Sequence, residues 1–328
     1  MSYQNQCKKR VIKGSELSTP ILVPSFSSKG IRDIKKLHAY MKDSLTLASL
    51  VSAYDLYYNY INPLEIYESD VLFVDSGGYE RDQEYDLANA YSEKYIPEIW
   101  TEEMHLTQIK KVELLGNVVL VNYDHEKKFT LSEQVERAEK FFELFPDFLS
   151  DFLCKPTNES HPYIDINNFC SNIQLMSSFS VIGFTEKELG KSILERCINI
   201  YKIRLELEKE NIQTPIHIFG CLDPLNVLAY FMCGADIFDG LSWLRYSFEN
   251  NVTTYLNSAA ISSGKWHKED SEMKVLSFSD NLQLLVRLTD KMNKFSEGYD
   301  WSTLGLEGAT VEQLKGLIKR VEEMVGGK

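Results

Sequence analysis

The chain has little of what usually divides or staples a fold. Its 328 residues hold only 9 prolines and 17 glycines, and these form no Pro- or Gly-rich stretch. No linker between separate bodies and no internal repeat is visible, so residues 1–328 read as a single domain. The cysteines (Cys7, Cys154, Cys170, Cys197, Cys221 and Cys233) contain no Cys-x-x-Cys pair and mostly sit in apolar segments. That pattern reads as reduced, buried thiols and not as a disulfide framework. His217 and Cys221 could share a strand face, but no further ligands lie near them in sequence, so no metal and no cofactor is expected. No apolar run is long enough to cross a bilayer, and the opening MSYQNQCKKR lacks a signal peptide's apolar core. A soluble, cytoplasmic protein with no membrane partner is expected. Net positive charge is missing too: 35 Lys+Arg against 48 Asp+Glu leave −13. This excludes a surface that attracts nucleic acid everywhere, because phosphate binding rests on lysine and arginine, but it leaves room for a local basic groove.

What is present is material for a large core, 44% hydrophobic and 12% aromatic. Short apolar runs recur at residues 21–26, 49–56, 71–77, 118–124, 151–156, 180–186, 215–221 and 235–241, and each reads as a strand. Amphipathic helical stretches separate several of them, most clearly LSEQVERAEKFFELF, with Thr130 or Ser132 as its cap, and ELGKSILERCINIYKIRLELEKE. Eight strands alternating with helices predict a (β/α)8 TIM barrel, with a doubly wound open sheet as the alternative. Residues 81–115 are long for one crossover and predict a helical insertion after the third strand. NLQLLVRLTDKMNKF and VEQLKGLIKRVEEMV read as C-terminal helices that close the domain.

In a barrel, the C-terminal strand ends converge on one mouth. Three carboxylates fall there: Asp75 in VLFVDSGGYE, Asp124 in VVLVNYD and Asp239 in ADIFDGL. One such aspartate reads as a turn former or helix cap, but three at the ends of apolar strands are harder to assign to capping alone. A carboxylate pair across a glycosidic bond supplies a nucleophile and a proton carrier. A third can accept hydrogen bonds from a base edge that presents N–H groups. The spacing alone supports an acid–base barrel enzyme.

VDSGGYE resembles the Asp-Ser-Gly-Gly-Phe/Tyr-Gln motif of the tRNA-guanine transglycosylases. STPILVPSFSSKGI looks like that family's opening strand, SLVSAYDLYYNYINP is similar to its Asn-Thr-Tyr-His-Leu segment, and VNYDHE lies where it has Phe-Asp-Glu. IHIFGCLDPLNVLAYFMCGADIFDGLSWLR resembles its Met-Gly-Val-Gly…Gly-x-Asp-Met-Phe-Asp-Cys…Pro-Thr-Arg block. The resemblance implies that Asp239 is the nucleophile at ribose C1′ and that Asp75 is the general acid/base serving the exchanging bases. It further implies that Asp124 pairs with the purine or deazapurine edge and that Tyr79 and Phe219 stack on the base, with a core role for Phe219 equally open. It implies too that Ser76, Gly77 and Gly78 let the backbone come close to the ligand, that Gly183 lies beside the base pocket, and that Gly220 and Lys155 belong to the substrate site.

The departures from the family pattern are equally specific. The zinc-binding Cys-x-Cys-x-x-Cys…His set is missing, and the chain passes from GKWHKEDSEMKV straight towards SFSDNLQLLVRL. Glu80 replaces Gln, Gly240 replaces Cys, Lys155 stands where Gln is usual, and SWLR keeps only Arg245 of Pro-Thr-Arg. The resemblance implies replacement of guanine in a nucleic acid by a 7-deazaguanine base. DNA is favoured slightly over tRNA because the altered arginine motif and lost zinc module fit a changed polymer. Arg245, Lys265, His267 and Lys268, with Lys127 and Lys128 near Asp124, are candidate phosphate contacts. Two alternatives stay open: a non-catalytic barrel that binds a protein partner subunit, and a glycosylase acting on free nucleosides.

Overall fold

The computed structural model describes residues 6–31, 33–82 and 95–326. Eight strands form one parallel sheet: β1 (Ile21–Pro24), β2 (Ala48–Ser52), β3 (Val71–Asp75), β4 (Asn117–Val121), β5 (Leu149–Cys154), β6 (Val181–Thr185), β7 (Ile216–Phe219) and β8 (Ile237–Gly240). The spatial order is β1-β8-β7-β6-β5-β4-β3-β2. A parallel bridge between Ser25 and Leu50, with Phe26 N–H donating to the Leu50 carbonyl at 3.0 Å, joins the two ends. The sheet is therefore a (β/α)8 barrel, and the open-sheet alternative falls because no free edge remains between β1 and β2.

The period-2 alternation of strand side chains sorts the residues into two cores. Ile21, Val23, Leu50, Val71, Phe73, Val119, Val121, Leu153, Val181 and Ile237 fill the barrel, while Leu22, Val51, Leu72, Leu120, Phe152, Ile182, Ile218 and Phe238 pack outwards against the helices. Every expected strand is present, and all but β5 are shorter than their apolar runs; β5 has the same length but begins two residues earlier, at Leu149. At β2 the reason is local: the Ser52 hydroxyl accepts from Asp55 N–H at 3.1 Å and caps a helix over Ala53–Tyr57, so the run leaves the sheet at Ser52. The helix over Leu131–Phe142 opens on a capping box between Thr130 and Glu133. All six cysteines are unpaired and five are buried.

The expected insertion after β3 contains helices at Gly78–Arg81 and Glu102–Ile109; its residues 83–94 lie outside the described residues. Beyond β8 comes a hairpin, β9 (Ser247–Glu249) with β10 (Val252–Thr254), which the apolar pattern does not announce. Its turn is Asn250-Asn251, both left-handed at φ 51° and 64°, a conformation asparagine tolerates better than most residues. The chain then enters the long helix Asp270–Gly298 and closes with Gly308–Gly326. Among the described residues no helix is long and apolar enough to cross a membrane.

The segment ADIFDG carries two aspartates with different fates. Asp236, just before β8, is fully buried between two arginines: Arg10 Nη1 lies 2.8 Å from Oδ1 and Arg204 Nη2 2.5 Å from Oδ2. Ile216 N–H also donates to Oδ2 at 2.8 Å. Burial, reinforced by the charge of Arg10, lowers the pKa of Arg204 to about 9, against the pull of Asp236. Asp236→Ala strands two buried guanidinium groups and is expected to cost roughly 3–5 kcal/mol, read as a lower urea midpoint at unchanged m-value.

Candidate active site

At the C-terminal ends of the strands the barrel opens into a cavity of about 450 Å³. Asp75, Ser76, Gly78, Tyr79, Asp124, Lys155, Phe219, Gly220, Asp239 and Arg245 all line it. These residues come from five of the eight strands or the loops that follow them, so closure of the barrel is what assembles them.

Asp239 is the most constrained of the three carboxylates. It points inward from β8, opposite Val23 in the neighbouring register, and is 6% exposed. Ser25 Oγ donates to its Oδ2 at 2.7 Å, and Gly220 N–H donates to Oδ1 at 3.0 Å. His217 Nε2 lies 3.4 Å from the same Oδ1. Donors on both oxygens fix the plane of the carboxylate.

Asp75 ends β3, partly open to the cavity, with Gly77 N–H donating to its Oδ2 at 3.3 Å. Burial raises its pKa to about 6; the charge of Asp239 adds to this, and the backbone N–H groups of Ser76 and Gly77 oppose it. The glycines after it have separate reasons. Gly77 is left-handed at φ 84°, and a Cβ there would fall 2.6 Å from Tyr54 Cβ and 2.9 Å from Trp100 Nε1. A Cβ on Gly78 would fall 2.6 Å from Asp124 Oδ2, so its bareness lets the β3 loop lie against Asp124. Trp100 Nε1 donates to the Ser76 carbonyl at 2.9 Å and pins this turn.

Asp124 follows β4 and is engaged by Lys155, whose Nζ lies 3.2 Å from its Oδ2 and 2.8 Å from Glu188 Oε1. Burial works against the charge on Lys155, but the two carboxylates outweigh it and hold the ammonium protonated. Arg81 Nη1 donates to the Asp124 carbonyl at 2.7 Å. Asp124 is thus a carboxylate already held in place by a lysine.

Of the two candidate stacking rings, Phe219 is 8% exposed and stacks on the His217 imidazole at 3.9 Å between centroids. Gly183 makes room for it: a Cβ at that position would overlap the Phe219 ring. Tyr79 is 37% exposed; Lys29 Nζ sits 4.3 Å over its ring, and Arg245 Nη2 donates to its hydroxyl at 2.9 Å. Arg245 thus reaches the mouth. Lys265 and Lys268 do not line the cavity and face the helix Asp270–Gly298, where Lys265 lies 3.5 Å from Asp280 and Lys268 3.3 Å from Glu272. Lys128 lines the main cavity, and both Lys127 and Lys128 line an adjoining hollow of about 220 Å³.

Sequence reading missed Ser25, Asp151 and the role of His217. His217 does not look for a metal with Cys221: its Nδ1 lies 2.7 Å from Asp151 Oδ2, inside the barrel, while Cys221 belongs to the outer core. The available signal was a polar residue at an inward position of an apolar strand, His217 two before Phe219 and Asp151 two before Leu153.

Glu80 is 2% exposed and accepts from Ser27 Oγ at 2.5 Å, with no partner for Oε2 among the described residues. Burial, then the charges of Asp55 and Asp75, raise its pKa well above the ordinary value. A carboxyl whose folded pKa is raised contributes stability at low pH that fades as pH rises. Glu80→Gln is expected to leave activity within about twofold and to stabilise the protein at pH 8 but not at pH 5. The gain is roughly 1.4 kcal/mol for each pH unit over which the wild-type folded state holds the proton and the unfolded chain does not, read from thermal melts at the two pH values.

Comparison with protein-family models gives no match to the chain, and comparison with curated proteins gives none either.

Proposed function

We propose that this barrel exchanges a nucleobase in a polynucleotide, replacing guanine by a 7-deazaguanine through a covalent sugar–Asp239 ester. The observation that carries the reading is the pairing of Asp75 and Asp239 in one cavity: one carboxylate is held rigid by donors on both oxygens, the other is poised near pH 6 by burial and by its partner's charge. That asymmetry divides the labour between nucleophile and proton carrier. In the first half-reaction Asp239 Oδ bonds to C1′ as the C1′–N9 bond breaks, and the leaving guanine takes its proton from Asp75. In the second, the incoming base gives its N9 proton to Asp75 and bonds to C1′, and the electrons of the C1′–O bond return to Asp239. Atoms and charge balance without a cofactor. Asp124 and Lys155 offer an acceptor and a donor to the edge of a base, and Phe219 and Tyr79 offer ring faces.

A polymer reaches such a site only with its target nucleotide out of the stack. The adjoining hollow supports a strand running past the mouth: Lys127, Lys128, Arg137, Lys140 and Lys155 line it, with Glu102 as the one carboxylate among its lining residues. Lys140 is paired with Glu136 and Lys155 with Asp124 and Glu188, so Lys127, Lys128 and Arg137 are what this face offers a phosphate against the overall −13. The Asp75–Asp239 arrangement in one cavity favours chemistry over a partner-binding barrel. The test is mass spectrometry of nucleosides from digested DNA and tRNA, with and without expression of this chain. A deazaguanine nucleoside in one pool names the polymer and the product; its absence from both, with purified chain, labelled base and either polymer, rejects the reading.

A further inference from the structure

Beneath the cavity floor three buried ionisable side chains stand in line, Asp151 on β5, His217 on β7 and Asp239 on β8. Asp151 and His217 are each 0% exposed. His217 Nδ1 lies 2.7 Å from Asp151 Oδ2, and its Nε2 lies 3.4 Å from Asp239 Oδ1. The imidazole is held from its faces as well, with Phe219 stacked at 3.9 Å and the Phe73 ring edge-on at 5.3 Å. A structural histidine in an apolar barrel needs one acceptor; this one has a carboxylate on each nitrogen.

The proton positions follow from repulsion. The short contact to Asp151 needs one proton between Nδ1 and Oδ2, and the charge and hydrogen bond of Asp151 favour it on the ring. A bare Nε2 lone pair would then face a carboxylate oxygen, which is unfavourable, so a second proton belongs on Nε2. Burial alone would favour neutral imidazole, but the charge and hydrogen bond of Asp151, with Asp239 behind them, raise its pKa to about 9. The ring is then a buried imidazolium, and the Phe219 face stacked on it suits a cation. The 3.4 Å separation exceeds a formed hydrogen bond, and such contacts commonly close only when substrate is bound.

We propose that His217, locked by Asp151, is the positioning residue of the nucleophile: it aims the Asp239 carboxylate and receives its charge when the sugar ester breaks. In that step the C1′–O bond cleaves with both electrons going to Asp239, the incoming base bonds to C1′, and its proton goes to Asp75. The His217 protons stay where they are. The imidazolium acts as a fixed cation beside the oxygen that becomes negative, as an oxyanion donor does. This inference rests on the base-exchange reading.

Two measurements test it. The ¹⁵N shifts of the His217 ring at pH 7.5 are expected to report both nitrogens protonated in the wild type and a neutral ring in Asp151→Asn. In steady-state exchange, Asp151→Asn and His217→Gln are each expected to lower kcat by roughly 10²–10³-fold with KM for the polynucleotide within twofold. The double variant should be no worse than the poorer single one. A purely structural role would show lost stability and raised KM instead, so thermal melts accompany both variants. A neutral His217 in the wild type overturns the proposal, and so does Asp151→Asn with wild-type kcat. A charged His217 that turns neutral in Asp151→Asn, in a protein that exchanges no base, supports the pairing and sinks the base-exchange reading alone.

Discussion

Asp239→Ala is expected to stop base exchange, lowering incorporation of labelled guanine or 7-deazaguanine by roughly 10⁴-fold or more. The size follows from what is removed. No other carboxylate in the cavity shares the position of Asp239 between Ser25 Oγ, Gly220 N–H and His217, so none can replace the attacking oxygen. Binding is expected to survive, because Asp124, Lys155, Phe219 and the basic hollow are untouched. Folding is expected to survive too: the freed donors of Ser25 and Gly220 face an open cavity where water can satisfy them, and His217 keeps its 2.7 Å contact with Asp151, which limits the loss to about 1–2 kcal/mol. Asp236→Ala, three residues earlier in the same strand motif, makes the opposite control, losing stability and not chemistry. The check has two parts. Wild-type protein mixed with polynucleotide, without incoming base, should yield a denaturant-stable covalent complex; Asp239→Ala should yield none. Undiminished incorporation by the variant would reject the mechanism.

The contrast between Asp236 and Asp239 shows how far the sequence could be read. Eight apolar runs gave eight strands, because burial on both sides of a parallel strand leaves a nearly continuous hydrophobic signature. The strand-end carboxylates were legible for the same reason, since a charge ending such a run stands out. Asp75, Asp124 and Asp239 do share one cavity. What the sequence does not display is partnership across strands. Asp151 and His217 are 66 residues apart and meet only because β5, β6 and β7 lie side by side with Asp151 opposite Val181 and Gly183 opposite His217. Asp236 lies in the same motif as Asp239, yet its partners Arg10 and Arg204 come from distant segments and make it a structural ion cluster. The lysines of residues 265–268 looked available for phosphate, and only the folded chain places Lys265 and Lys268 beside the acids of the long helix. The hairpin β9–β10 was invisible because its three-residue strands carry too little alternation to register.

The pH dependence of exchange is expected to differ between the two substrates, and the difference tests the role of Asp75 most directly. Its pKa is raised from 3.8 to about 6, so it is protonated below about pH 6 and ionised above it. The leaving guanine needs the protonated form. Hence kcat/KM for the polynucleotide, which reports the free enzyme, is expected to fall about tenfold per pH unit above about 6. Once the ester forms, Asp239 carries no charge, and its contribution to the raised pKa disappears. Asp75 then becomes the weaker proton holder that the incoming base requires, so kcat/KM for that base should lose activity only at pH values below about 6. The covalent step itself thus switches Asp75 from acid to base. The linked effect on folding has a definite sign: with the folded pKa above the unfolded one, this group favours the native state at low pH, and that contribution is lost as pH rises through about 6. Asp75→Asn should abolish both limbs and slow exchange by roughly 10²–10⁴-fold. Asp239→Asn, measured by carboxyl ¹³C titration, should shift the Asp75 pKa downward. Identical pH profiles for the two substrates, or an Asp75 pKa that ignores the loss of the Asp239 charge, would show that the two carboxylates do not work as a pair.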